Sequence, residues 1–202
     1  NSETDELRWM TIDEACTLLS YDVDTQVLAK AKKRLRLAPT TRVLYVRHAR
    51  AHQRRSWEGD DDLRPLDKKG RRQAEMLVPM LTPFHPTAIY SAPPQRCQHT
   101  AAPLADELGM DIAVNKAFGD DVFTESPESA RAAFQRVVDG GGVPVIVSQG
   151  LTIPGIIESY APKFITTPID ELKFKKASVW VLSFNDGELT GADYLASPLP
   201  VR

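Results

Sequence analysis

The chain has 202 residues, 42% of them hydrophobic, and a formal net charge of −2 at pH 7. That length suits one ordinary domain plus an extra piece, and the near-neutral balance argues against a nucleic-acid polymer as partner. No apolar run approaches the roughly 20 residues of a membrane-spanning helix, no signal-peptide pattern is present, and Cys16 and Cys97 are too few for a disulfide framework, so a cytoplasmic, non-membrane setting is expected.

The chain opens on Asn1 and the charged run Asn-Ser-Glu-Thr-Asp-Glu, which reads as a start inside a longer sequence. Leu7-Arg8-Trp9 reads as the end of a strand. Thr11-Ile-Asp-Glu14 fits a capping box, with Thr11 as N-cap and Glu14 at the third helical position. A second helix is expected from about Asp24 to Leu35, and residues 37–41, with Pro39, read as a linker. From Arg42 onward strands and helices alternate. Val43–Val46 is a β-branched-rich apolar run. Gly70–Leu81 is helical, with Ala74, Leu77, Val78 and Leu81 on one face. Thr87–Tyr90 is a short strand, and Gln95–Leu108 a helix closed by Gly109. Ser126-Pro127 starts a helix reaching about Val138, Gly140-Gly-Gly142 ends it, and Val143–Val147 is another buried strand. Thr152–Tyr160 is helical. Ser178–Phe184 and Glu188–Ala192 form a hairpin around Asn185-Asp-Gly187. All-apolar strands alternating with helices predict an α/β fold, with a mostly parallel sheet covered on both faces.

In such sheets ligands bind at the carboxyl ends of the strands. Arg47-His48 follows the first strand, Ser91 and then Arg96 the second, and Ser148-Gln149-Gly150 the fourth. Two arginines, a histidine and small or amide side chains meeting in one place make an anion site. Guanidinium groups match phosphate oxygens, and a neutral imidazole beside them can attack phosphorus and carry the group covalently. An adjacent arginine opposes protonation of that imidazole.

Three blocks carry a family resemblance. Val46-Arg47-His48-Ala49 resembles the Arg-His-Gly motif of the histidine phosphatase (phosphoglycerate-mutase-like) superfamily. Arg64-Pro-Leu-Asp-Lys-Lys-Gly70 resembles the Arg-Pro-Leu-x-x-x-Gly block of its small, SixA-like branch. Ile89–Ala101, with Ser91, Arg96 and Thr100-Ala101, resembles its Ser-x-x-x-x-Arg-x-x-x-Thr-Ala block. The resemblance spans residues 42 to about 192. It implies a three-layer α/β/α fold, His48 as phosphohistidine nucleophile, Arg47 and Arg96 as phosphate ligands, and no cofactor for this domain. Two positions depart from the pattern: Ala49 replaces glycine, and Gln149 stands where the family has a second histidine. Gln149 can donate a hydrogen bond but carries no charge. Asp120 or Asp121 is the expected acid, from the loop after the third strand, with Glu125 as a further choice. Arg54, Ser91 and Gln149 join the expected phosphate ligands, and His99, Lys176 and Gly150 are further candidates.

Residues 3–21 are similar to the last strand and helix of a Nudix hydrolase domain, without the glutamate-rich Nudix box. The resemblance divides the chain into a Nudix remnant at 1–36, the linker at 37–41 and a phosphatase-like domain at 42–202. Mg²⁺ is expected only for the absent Nudix half. The order matches MutT-type Nudix–histidine phosphatase fusions, similar also at Gln149-Gly150 and at Lys176–Ser183. Those fusions hydrolyse oxidised guanine nucleoside triphosphates and diadenosine polyphosphates, chiefly through the Nudix half.

The expected function is thus a phosphohydrolase acting on nucleotides or another phosphorylated small molecule. The alternatives are a weakly catalytic phosphate-binding module serving a Nudix site, in the same molecule or a neighbouring one, and a protein phosphohistidine phosphatase. Blander readings stand beside the sharp ones. His52 and His85 read as surface residues, Asp60-Asp-Asp62 as a solvated acidic loop, and Trp57 and Trp180 as packing. Ser148 reads as an orienting hydroxyl, since no Gly-x-Ser-x-Gly elbow is present.

Overall fold

The structure, a computed structural model, describes residues 6, 8–35, 39–160 and 173–199. The chain forms two compact units, residues 1–38 and 39–202.

In the first unit, α1 (Ile12–Leu18) starts on the expected box: the Thr11 side chain accepts from the Glu14 N–H, and Glu14 Oε2 accepts from the Thr11 N–H at 2.9 Å. Helix α2 (Asp22–Leu35) follows, and Lys32 pairs with Asp13 across the two helices. Residues 8–10 have no regular structure, so the expected strand is not formed there, and Leu7 lies outside the described residues. Leu18, Tyr21, Val23 and Val27 are exposed, and no residue of α1 is buried.

The second unit is built on a six-stranded sheet. Its strands are β1 (Thr41–Arg47), β2 (Ala88–Ser91), β3 (Ile112–Val114), β4 (Pro144–Ser148), β5 (Val179–Asn185) and β6 (Glu188–Leu195). They lie in the order β3-β2-β4-β1-β5-β6. The β1–β4, β4–β2 and β2–β3 pairs are parallel, while β5 and β6 add an antiparallel hairpin to one side. Asp186 and Gly187 both take positive φ in its turn, as a two-residue hairpin requires. Val43–Val46 are all buried, which needs helices over both faces of β1. Helices α3 (Lys68–Leu81) and α4 (Gln95–Leu108) pack against each other. Helices α6 (Pro127–Asp139) and α7 (Thr152–Tyr160) form a second pair, and the Phe134 ring of α6 meets Tyr45 of β1 at 5.2 Å. A short helix, α5 (Asp120–Glu125), which the sequence pattern does not anticipate, fills the connection after β3.

Two local features aim the site. Asp67 caps α3, accepting from the Gly70 N–H at 2.7 Å. A Cβ on Gly70 would stand 1.8 Å from the Arg50 carbonyl oxygen, so only glycine lets α3 come this close to the loop after β1.

Candidate active site

The site forms where β1 and β4 end side by side. His48 extends the ladder one residue past β1, its N–H donating to the Ser148 carbonyl at 3.0 Å. The next N–H, on Ala49, donates to Thr100 Oγ1 at 2.9 Å, and the Thr100 hydroxyl donates to the Arg96 carbonyl at 2.6 Å. One threonine of α4 therefore ties the nucleophile loop to the second arginine. Ala49 is itself fully buried.

The His48 ring is 4% exposed and held at both nitrogens. Nδ1 lies 2.7 Å from the Ala49 carbonyl oxygen, and Nε2 lies 2.7 Å from Lys176 Nζ. A carbonyl only accepts, so Nδ1 carries the hydrogen and Nε2 carries the lone pair. Burial, then the charges of Lys176, Arg96 and Arg47, push the imidazole pKa well below its ordinary value, against the opposing bond to Ala49. This favours the neutral ring, with its lone pair on Nε2 toward Lys176, the protonation state a nucleophile needs.

Lys176 reaches this position through the segment before β5. Ala177 sits at φ 57°, an unusual left-handed conformation for a residue with a Cβ, and is fully buried. Its N–H lies 3.1 Å from the Arg47 carbonyl and 3.3 Å from that of His48. The Arg47 N–H donates to the Ser178 carbonyl at 3.0 Å. These bonds turn Lys176 inward. Burial, then Arg47 and Arg96, lower its amine to about 7.

Each of the two expected arginines has a donor left over. Arg47 Nη1 donates to the Phe174 carbonyl at 2.5 Å, and its guanidinium lies over the Phe174 ring, 5.4 Å from the centroid. Arg96, in the first turn of α4 and 3% exposed, donates through Nη1 to the Asp61 carbonyl at 2.6 Å, and its Nη2 lies 3.1 Å from Asp61 Oδ2. Nε of both arginines is buried without a hydrogen-bond partner among the described residues. Buried donors are normally satisfied, and two guanidinium N–H groups without partners near a neutral imidazole are of the chemical type that binds an oxyanion.

Gln149 is buried beside them. Its Oε1 accepts from the Asp120 N–H at 2.9 Å, which leaves the amide NH₂ as its spare donor. Gly150 makes room for Arg47: a Cβ there would lie 2.8 Å from Nη2.

Several expected site residues are engaged with other partners. Arg54 is mostly exposed and spends Nε and Nη2 on Asp61, so it lies at the outer rim. Ser91 is fully buried, and its hydroxyl donates to the Ala92 carbonyl at 2.8 Å, because the residue ends a strand packed on both sides. His99 is exposed and lines a separate groove of about 380 Å³ between α3 and α4, with Leu66, Ala74 and Pro103. Although residues three apart on a helix share a side, His99 lies at the exposed surface while Arg96 is buried. Asp120 Oδ1 accepts from the N–H groups of Leu151 (3.0 Å) and Thr152 (2.9 Å) and from the Thr152 hydroxyl (2.9 Å), so the carboxylate caps α7. Asp121 and Glu125 are exposed on α5. The Ser148 hydroxyl donates to the Phe118 carbonyl at 2.6 Å, an orienting role as the sequence suggests.

Asp61 is the residue that sequence reasoning missed. It reads as solvated loop, yet it binds Arg54, Arg64 and Arg96 together. Burial alone would raise its carboxyl, but hydrogen bonds from Arg54 and Arg64 and the charges of Arg96 and Arg64 hold it well below the ordinary carboxylate range. The i,i+3 spacing of Asp61 and Arg64 was the available signal. With Asp61 so engaged, residues 60–62 form no cation site, and among the described residues no cluster of three His, Cys, Asp or Glu side chains is arranged to hold a metal.

Residues 43–124 match the sequence profile of the histidine phosphatase superfamily, branch 1. The matched segment belongs to that superfamily. Among particular proteins, the chain is 41% identical over 198 residues to the 8-oxo-(d)GTP phosphatase of Mycolicibacterium smegmatis, covering 98% of this chain and 61% of that protein. The chain therefore spans about three fifths of the length of that relative. The fold is shared with the protein histidine phosphatase SixA complexed with tungstate (17% identity, TM-score 0.63, 77% of this chain and 97% of that one). It is shared also with a phosphoserine phosphatase of Entamoeba histolytica (15% identity, TM-score 0.57, 79% and 100%).

Proposed function

We propose that this chain hydrolyses nucleotide phosphates through a phosphohistidine formed on His48. Nε2 attacks phosphorus, the bond from phosphorus to the leaving oxygen breaks, and the leaving group departs with that electron pair. Water then attacks phosphorus, the N–P bond breaks back to Nε2, and inorganic phosphate is released. Arg47 and Arg96 hold the equatorial oxygens through their unpartnered Nε–H groups, and Gln149 offers its amide NH₂. The observation that carries this reading is the neutral, lone-pair-bearing Nε2 of His48 set among two buried arginines. Oxidised guanine nucleotides such as 8-oxo-dGTP are the proposed substrates, with dinucleoside polyphosphates as a further class, supported by the 41% likeness to an 8-oxo-(d)GTP phosphatase.

A second reading is a phosphate-binding module that cradles the nucleotide tail for a Nudix active site. Gln149 favours it, since a neutral amide in this cradle leaves less charge for the transition state. One assay separates the readings. The 202-residue chain is offered 8-oxo-dGTP, 8-oxo-dGDP, diadenosine tetraphosphate and a phosphohistidine peptide, with phosphate release and nucleotide binding both measured. Hydrolysis of the nucleotides, lost by about 1,000-fold or more in His48→Ala, supports the first. Nucleotide binding without release supports the module, and release from the peptide alone points to a protein phosphohistidine phosphatase.

A further inference from the structure

Lys176 and Gln149 together pose a problem of charge. The position after β4 carries no cation, yet a lysine from another element lies 2.7 Å from the attacking nitrogen. With Nδ1 committed as donor to Ala49, Nε2 can only accept, so Lys176 donates to it and covers the lone pair that must reach phosphorus. In that arrangement His48 cannot attack. The lysine has to leave Nε2 when a phosphoryl group enters, and the nearest acceptors are then the equatorial phosphoryl oxygens.

We infer that Lys176 is the third cation of the phosphoryl site, supplying from the segment before β5 the charge that Gln149 lacks, and that it caps His48 until phosphate displaces it. This rests on the phosphate-site reading above and adds a catalytic residue to it.

The surroundings give the change its chemistry. Lys176 is faced by Arg47 and His48 from the end of β1, Arg96 and Cys97 from α4, and Arg64 from the loop before α3. Three guanidinium groups and burial disfavour its ammonium form, which brings its pKa to about 7, while Cys97, itself pushed up to about 12 by burial, remains a neutral thiol. Above neutral pH the empty site therefore holds a neutral amine, still able to donate one N–H to Nε2. A phosphate dianion adds negative charge among those same groups and favours the ammonium. The amine takes a proton from solvent, the N–H···Nε2 bond breaks, and the charged group turns to the phosphoryl oxygens. Nε2 keeps its lone pair and Nδ1 its hydrogen, so the nucleophile is released in the tautomer it needs. Ala177, fixed in its left-handed turn by the Arg47 and His48 carbonyls, keeps the lysine backbone in place, so only the side chain moves.

The test uses inorganic phosphate and the 202-residue chain. Calorimetric titration at pH 8 in buffers of different ionisation heat counts the protons taken up on binding. Wild type is expected to take up roughly one proton per phosphate; Lys176→Met and the permanently charged Lys176→Arg should take up almost none. Lys176→Met should slow turnover by about 100-fold for good and poor leaving groups alike, as loss of an equatorial charge would. Lys176→Arg should keep most of the phosphate affinity, and Gln149→His in the Lys176→Met background should recover about 10-fold or more. Equal proton uptake in wild type and Lys176→Met would overturn the inference. So would a loss confined to poor leaving groups, or no recovery from Gln149→His. Proton uptake without turnover in the wild-type chain would sink the hydrolase reading alone and support this one.

Discussion

Asp61 Oδ2 lies 3.1 Å from Nη2 of Arg96, and the Asp61 backbone carbonyl accepts from Nη1 of the same guanidinium at 2.6 Å. One residue thus holds two nitrogens of a nearly fully buried arginine and leaves the third, Nε, without a partner among the described residues. The same carboxylate anchors Arg64, whose Nη1 donates to the His52 carbonyl at 2.6 Å, so the loop after β1 is tied to α4 through a single acidic side chain.

Asp61→Asn is expected to weaken phosphate binding about tenfold and to cost about 1–2 kcal/mol of stability, less than a fully buried pair because Asp61 is one-third exposed. The pH dependence follows from a carboxyl held below its ordinary value near 3.8. Its stabilisation is fully present above that value and is lost as pH falls through the lower folded one. Urea unfolding of both proteins should therefore differ most at neutral pH and converge in strong acid. A constant difference down to pH 2 would contradict the ion-pair account.

Gly150→Ala places a methyl 2.8 Å from Arg47 Nη2, and Arg47 cannot retreat freely because Phe174 holds Nη1. The expected result is a drop in kcat/KM of about tenfold with a change in Tm of only a few degrees. Steady-state kinetics and a thermal melt on the same preparation check it; unchanged kinetics would mean that Arg47 has room the structure does not show.

Asp120 separates two roles by chemistry. As the cap of α7 it needs only acceptor oxygens, which asparagine retains. Asp120→Asn should keep activity within about threefold, whereas Asp120→Ala should lose about 1–2 kcal/mol of stability. A steep loss of turnover in Asp120→Asn with an intact melt would instead make this carboxyl the proton donor.

Lys176 carries a stability cost that depends on pH. In the unfolded chain the amine keeps its proton up to an ordinary value near 10.5; in the fold, burial, Arg47 and Arg96 bring it to about 7. Between those values the unfolded state binds more protons, so stability rises with pH. The penalty is complete below pH 7 and gone above about 10.5. Lys176→Met should therefore be more stable than wild type by about 1–2 kcal/mol at pH 6, an advantage that shrinks toward pH 10. Melts across that range measure it.

Much of this molecule follows from local patterns. The Thr11–Glu14 box, the left-handed Gly109 closing α4, the Asn185-Asp-Gly187 turn and the apolar run ending in Arg47-His48 each depend on neighbours a few residues away. Short-range sterics, capping and strand alternation settle them, and the rule that parallel strands present their carboxyl ends to ligands is enough to bring His48, Arg47 and Arg96 to one place. What the sequence could not show was how side chains distant along the chain divide the available partners. Asp61 reads as one of three solvated acids until Arg96, 35 positions later, folds against it. Asp120 reads as a proton donor, but the sequence does not show that its Oδ1 caps α7, nor that His99 lies in the groove between α3 and α4. Lys176, 128 positions from His48, is turned inward by a left-handed alanine that no propensity would assign. Periodicity determines which elements form, while hydrogen bonds and charges compete across the whole fold. Only the closed tertiary structure decides which donor meets which acceptor.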